Sequence, residues 1–289
     1  MERIVMIDTI KLINEKKDGF SKSQKKIAEY IENNLEKAAY MTASKLSEKA
    51  EVSEATVVRF AEKLGFDGYP KFQKNLLSYV KGKLTSLQRI ELSYEKIGDR
   101  NILNAVLKSD IAHIEKTLEN IEKEQFENAA RSISSANRIY ITGVRSAAAL
   151  AEFAGFYFHL IFDNVRLIKS TGGDDLFEQI MNIEKDDVFI GISFPRYSKN
   201  TIKALEYAKR RGATVIGITD SKNSPVSSVS DFCLIAECDT TFFADSLTAP
   251  ISLINALIAQ VGLENRERVH KNFERLEKIW DEYEVYDKK

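Results

Sequence analysis

Two hydrophobic periods divide the chain. From Ile4 to Val80 apolar positions recur every three or four residues, β-branched runs are absent and glycines fall at segment ends, so this stretch reads as helix throughout. Ser21 with Gln24 makes a capping box for a helix through Ile27, Ile31 and Leu35; Thr42 or Ser44 starts a second through Leu46 and Ala50, and a third begins at Ser53. After two more amphipathic stretches, Ile102 to Glu122 and Glu124 to Ser135, short apolar runs alternate with helical ones: Arg138 to Thr142, Val165 to Ile168, Asp187 to Ser193, Thr214 to Thr219 and Phe232 to Ile235. Strands separated by helices of ten or more residues predict right-handed crossovers and an open, five-stranded parallel sheet covered on both faces, a three-layer α/β/α arrangement. The expected organisation is an all-α domain over 1–80, a linker over 81–102 where the faces weaken, and an α/β domain over 103–289 with its core at 137–265.

Composition narrows the class. With 44% hydrophobic and 29% charged residues the chain reads as a soluble globular protein, and the most apolar segment, Ala249 to Ala259, is too short for a bilayer and is expected to be a buried helix. The amino terminus lacks a secretory pattern, since Asp8, Lys11 and Asn14 interrupt it, so the expected location is cytoplasmic with no membrane partner. Cys233 and Cys238 have no accompanying pair at metal-ligand spacing and read as buried thiols; no metal or cofactor is called for. Net charge is −1, yet between Phe20 and Lys83 twelve lysines and arginines face eight acids, a modest basic balance that suits phosphate contacts.

The segment from Ala43 to Phe60 has helix-turn-helix chemistry. Ala43, Leu46 and Ala50 line one face of the first helix, Val52 plugs the turn, and Val57, Ala61 and Leu64 form the inner stripe of the second, which Ser53 opens and Gly65 closes. Thr56, Arg59 and Lys63 then share the outward face, with Ser53, Glu54 and Ala55 at the tip, where a recognition helix enters the major groove; Ser44 and Lys45 join them from the first helix. Arg59 can fork onto guanine or phosphate, Ser53 and Thr56 can bond phosphate oxygens or base edges, Lys63 adds charge, and Glu54 complements the helix dipole. The structural alternative is a helical hairpin with a solvated face. Phe20 to Val80, including Ser53 to Phe60 and Lys63-Leu64-Gly65-Phe66, resembles the amino-terminal domain of the RpiR (MurR/RpiR) family of bacterial regulators. Such turns usually carry glycine at the position of Glu51, where φ tends to be positive, and a non-glycine residue pays on the order of 1 kcal/mol for that backbone.

Two predicted strand-to-helix loops gather groups suited to an anion, at the strand ends where open parallel sheets hold ligands. The first, Gly143-Val144-Arg145-Ser146-Ala147, leads into a helix whose first amides suit an anion. The second runs from Ser193 to Thr201 and contains Arg196, Tyr197 and Ser198. Ordinary loop punctuation is the plain alternative for each. Arg138 to Val261 resembles a sugar isomerase (SIS) domain, which in RpiR regulators follows the helix-turn-helix. The resemblance implies a phosphorylated sugar or sugar acid as effector at Gly143, Arg145, Ser146, Ser193, Arg196, Tyr197, Ser198 and Thr201, and a double-stranded DNA operator read by a homodimer or tetramer. The family's first loop reads glycine-x-glycine-x-serine and its second serine-x-serine-glycine-x-threonine; here Arg145 and Ala147, and Pro195 and Arg196, depart from that pattern, so that the two arginines suit a more anionic effector, the alternative being a site that has lost its ligand.

A phosphosugar isomerase is the main rival, but none of the three histidines falls on a predicted strand-end loop, and no catalytic residue is assigned. His159 shares a face with Phe153, Phe156 and Phe158 and is expected in the core. A nicotinamide dehydrogenase is disfavoured because Gly143 to Ala147 lacks the dinucleotide-binding glycine pattern. Thr171-Gly172-Gly173 reads as a turn that could approach the same site.

Overall fold

The computed structural model describes residues 9–83, 101–169, 175–238 and 244–286, and its contacts divide the chain into two compact units, Met1–Arg89 and Ile90–Lys289. Thr171-Gly172-Gly173 and most of the expected linker lie outside the described residues.

The first unit is all helix: α1 (Thr9–Lys16), a 3-10 turn (Lys17–Gly19), α2 (Lys22–Asn33), α3 (Leu35–Ala39), α4 (Ala43–Lys49), α5 (Glu54–Leu64) and α6 (Tyr69–Lys83). Both halves of the Ser21–Gln24 capping box form. The helix they open stops at Asn34, short of the expected Leu35, which instead begins α3. Between the two candidates for the start of α4, the hydroxyl of Thr42 takes the cap, accepting the Lys45 N–H at 3.2 Å. The core is aromatic: Phe60 lies 5.1 Å from Phe20 and 5.9 Å from Phe72, centroid to centroid. The inner stripe of α5 is thus Val57, Phe60, Ala61 and Leu64, one bulky residue more than the periodicity marks.

The second unit begins with α7 (Ile102–Asn120) and α8 (Lys123–Ser135). There follow β1 (Ile139–Gly143), α9 (Ser146–Ile161), β2 (Val165–Ile168), α10 (Asp175–Ile180), β3 (Val188–Ile192), α11 (Lys199–Arg210), β4 (Thr214–Thr219), α12 (Pro225–Val229), β5 (Phe232–Ile235), α13 (Thr248–Glu264) and α14 (Arg266–Glu282). The five strands are all parallel in the order β2-β1-β3-β4-β5. Alternation sorts their side chains: Ile139, Ile141, Ile190 and Ile216 pack against α8, α9 and α13, while Tyr140, Phe189 and Val215 pack against α10, α11 and α12. This is the three-layer α/β/α arrangement with a five-stranded parallel sheet.

Two expectations change. His159 is exposed on α9 and is not a core residue, because Leu150, Ala154 and Phe158 hold the inner face of that helix and the ring falls on the other side. The apolar helix over Ala249 to Ala259 is buried along one face only, through Ala249, Leu253, Ile254 and Leu257, while Ile251, Ser252, Asn255 and Ala256 stay open. Cys238 is buried; Cys233 is half-buried, and desolvation pushes its thiol up to about 11. No helix among the described residues is long and apolar enough to cross a membrane.

Candidate functional site

The candidate DNA-facing surface is assembled by two N-caps and one turn. Ser53 accepts the Thr56 N–H at 3.3 Å and its hydroxyl meets that of Thr56 at 2.8 Å, so both side chains are fixed at the start of α5. At the other end Gly65 adopts φ 99°, a left-handed cap that a side chain would strain. Glu51 has φ 53°, the backbone expected where the family turn carries glycine, and its carboxylate meets Lys26 at 2.9 Å. That hydrogen bond and charge hold the Glu51 carboxyl below its ordinary value.

Ser44, Lys45, Ser53, Glu54, Ala55 and Arg59 are exposed, and Thr56 is half-buried. Arg59 folds back so that Nε donates to the Ala55 carbonyl at 3.2 Å, which leaves the terminal guanidinium nitrogens outside that bond. Lys63 behaves differently. Its ammonium donates to the Gly19 carbonyl and lies 5.8 Å from the centre of the Phe20 ring, so it is drawn toward the turn before α2. Sequence spacing alone could not reveal this, because Gly19 is 44 residues away.

The second candidate site occupies the carboxyl edge of the sheet. Strand order reverses between β1 and β3, whose register pairs Gly143 with Ile192, so the two predicted loops leave adjacent strands side by side at the switch point. Gly143 is required there: a Cβ would stand 2.3 Å from the Ala147 carbonyl oxygen. Arg145 takes φ 59°, ψ −125° at the start of α9 and no side chain caps that helix. Arg196 takes φ 70°. Both arginines therefore hold a glycine-like backbone at family glycine positions while exposing a cationic side chain. Ser146 is also exposed.

In the second loop the buried Ser193 hydroxyl accepts the Ser198 N–H at 3.0 Å, and the Ser198 hydroxyl accepts the Thr201 N–H at 3.2 Å, capping α11. The Thr201 hydroxyl is fully buried and has no hydrogen-bond partner, an arrangement that costs about 1–3 kcal/mol unless something meets it. Tyr197 donates to Asp220 at 2.9 Å, and Asp220 also takes the Thr219 hydroxyl at 3.3 Å. Sequence reasoning missed Asp220, although its place directly after an apolar strand was a usable signal. It also missed a cavity of about 200 Å³ beside the first loop, bounded by Arg145, Glu152 and Lys169, the last two paired at 3.3 Å. Among the described residues no group of three or more His, Cys, Asp or Glu side chains is placed to hold a metal.

Comparison with known proteins decides the family. Residues 7–83 match the helix-turn-helix domain, rpiR family, and residues 132–260 match the SIS domain. The chain belongs to the RpiR family of transcriptional regulators. An uncharacterized HTH-type transcriptional regulator of Clostridium perfringens is 28% identical, over 81% of this chain and 84% of the relative. The HTH-type transcriptional regulator HexR of Pseudomonas aeruginosa is 25% identical over 79% of each. Among solved structures, the sugar isomerase domain of an RpiR transcription factor from Sphaerobacter thermophilus superposes with a TM-score of 0.58 at 27% identity, covering 60% of this chain and 97% of that one. The Vibrio vulnificus NanR protein complexed with ManNAc-6P gives a TM-score of 0.58 at 20% identity, covering 96% and 98%, a likeness of fold.

Proposed function

We propose that this RpiR regulator grips an operator through α4 and α5 and that its SIS domain binds a phosphorylated sugar or sugar acid whose binding alters DNA affinity. Residues 1–80 would serve as the DNA reader, 81–102 as the linker and 103–289 as the sensor. The observation that carries the effector reading is the pair of loops at the β1/β3 switch point, with a partnerless buried hydroxyl at Thr201 and two arginines held in glycine-like backbone. Backbone strain of this kind costs about 1–3 kcal/mol per residue, is held in place by the surrounding structure and clusters at ligand sites. Gly143, Ser146, Ser193, Tyr197 and Ser198 would complete the effector contacts from the same two loops. NanR, of the same fold, is a protein that takes a phosphosugar.

Binding is favoured over isomerisation. The three histidines, His113, His159 and His270, lie in α7, α9 and α14, away from both loops at the switch point, and the curated relatives are named as regulators. The coupling is linkage: an effector that prefers one arrangement of the sensor changes operator affinity by the same factor that DNA changes effector affinity.

The test is a thermal-shift titration of the full chain against aldose phosphates, phosphorylated sugar acids and inorganic phosphate. Wild type should gain about 2.7 kcal/mol at a hundredfold excess over Kd for its effector, and Arg145→Ala should lose most of that gain. No shift with any phosphorylated sugar, in either protein, would overturn the effector reading.

A further inference from the structure

The carboxyl ends of three strands stand level. Thr142 of β1 pairs with Ile168 of β2, and Gly143 pairs with Ile192 of β3, so Lys169, Gly143 and Ile192 form one row across the sheet. Neighbouring strands lie about 4.8 Å apart, which puts the backbones of Lys169 and Ile192 about 10 Å from one another, with the start of the first loop between them. The second loop, with Arg196 exposed and the start of α11 at its end, leaves from the Ile192 side. At the Lys169 side opens the cavity of about 200 Å³ beside the first loop. Its walls carry charge of both signs, Arg145 and Lys169 against Glu152, while Ala148, Ala151 and Leu167 supply the apolar part.

We propose that this cavity is a carboxylate subsite and that the effector is a phosphorylated aldonic acid, its phosphate over the second loop and its carboxylate between Arg145 and Lys169. The proposal rests on the effector reading above and fixes what the far end of the effector carries. Charge selects the group. Two cations and one carboxylate leave a surplus of one positive charge, which a single carboxylate neutralises. A second phosphate, carrying about −1.5 to −2, overshoots that surplus, and an uncharged aldehyde or hydroxyl end leaves it uncompensated.

The cations are available for that role. Lys169 meets Glu152 at 3.3 Å, but both side chains are more than half exposed and such pairs hold weakly, so an incoming carboxylate can share the ammonium. Among the described residues Arg145 has no carboxylate partner. Length selects the chain. An extended six-carbon acid phosphorylated on its last carbon has seven bonds from carboxylate carbon to phosphorus and, at about 1.25 Å of advance per bond, spans about 9 Å, close to the separation of the two strand ends. A three-carbon acid phosphate spans about 5 Å and falls short of one end. At about 30 Å³ per water the cavity holds several water volumes, room for a carboxylate and the carbon beside it.

Calorimetric titration of the full chain with matched pairs tests this subsite apart from the phosphate contacts: the 6-phosphates of gluconate, mannonate and galactonate against those of the parent aldoses, with fructose 1,6-bisphosphate and 3-phosphoglycerate beside them. In the pair that binds, the acid should bind at least roughly tenfold tighter than its aldose, and tighter than the bisphosphate or the three-carbon acid. Lys169→Met should weaken the acid roughly tenfold and change the aldose phosphate by less than about twofold. Glu152→Gln raises the surplus to two positive charges and should strengthen the bisphosphate roughly tenfold. Both positions are exposed, so the variants should keep the Tm of wild type without ligand. Binding of aldose phosphates and acids with equal affinity would overturn the carboxylate subsite and leave the effector reading standing. So would equal losses of both ligands in Lys169→Met, a bisphosphate affinity unmoved by Glu152→Gln, or a three-carbon acid that binds as well as the six-carbon one. No binding by any phosphorylated sugar or acid would remove the effector reading and this subsite with it.

Discussion

The turn of the helix-turn-helix and the loops proposed to meet the effector each hold a non-glycine residue at positive φ, and they differ in what the residue does with its side chain. Glu51, at φ 53°, turns its carboxylate onto Lys26 within the same helical unit. Arg145 and Arg196, at φ 59° and 70°, sit with exposed side chains in the two loops that leave the switch point, and the helix after the second loop holds a fully buried Thr201 hydroxyl without a partner. In the first case the strained backbone precedes α5, the proposed recognition helix. In the second the strained residues are themselves part of the proposed contact. A reading surface carried on a capped helix tolerates such a residue; a loop site is built from it.

The largest effect that could break this contrast is expected at Arg59. Arg59→Ala should weaken operator binding by about 1–3 kcal/mol and relax base choice, with the effector-induced thermal shift intact. Lys63→Ala serves as the comparison, because its ammonium is drawn to the Gly19 carbonyl and away from the outward face. It should leave base choice alone and alter the salt slope by less than the unit expected of a full phosphate contact, checked by binding isotherms across salt. Equal affinity of all three proteins for an operator would remove α5 from the reading role.

Legibility follows the same division. The caps at Ser21, Thr42, Ser53 and Gly65 are local signals three to five residues long, and the positive φ at Glu51 could be anticipated from the turn it occupies. The five strands were visible because buried parallel strands are short, continuous apolar runs. What the sequence hid are meetings between distant segments. Tyr197 finds Asp220 across two strands, Lys63 finds Gly19, and the half-open face of α13 depends on what α7 leaves uncovered. His159 was misplaced for a related reason: its aromatic neighbours at Phe153 and Phe156 are themselves half-buried or exposed, so sharing their face says little about burial.

A smaller effect sharpens the sensor side. Arg145→Gly keeps the backbone at φ 59° and ψ −125° without its steric cost, so the protein without effector should become more stable by about 1 kcal/mol, read as a rise in Tm. The same substitution deletes the cation, so the shift caused by a phosphorylated effector should shrink. Opposite signs in one variant are the mark of strain kept for binding. A variant that loses stability and keeps its full effector response would make Arg145 a structural residue.

The smallest effect belongs to Glu51. Glu51→Gly relieves the same kind of backbone cost but also removes the exposed ion pair with Lys26, and exposed pairs contribute little, so the two changes oppose each other and Tm at neutral pH should move only slightly upward. The pH dependence separates them. Lys26 holds the Glu51 carboxyl below its ordinary value of 4.5, so the pair's contribution is present above that pH and is lost as the pH falls through the lower, folded-state value. Glycine has no such limb. The gap in Tm between Glu51→Gly and wild type should therefore widen in favour of the variant as the solution is acidified below pH 4.5, because wild type loses the pair and keeps the strain. A gap that stays constant through that range would mean that Lys26 does not hold Glu51 in the folded turn, and the contrast with Arg145 would lose its inward-facing member.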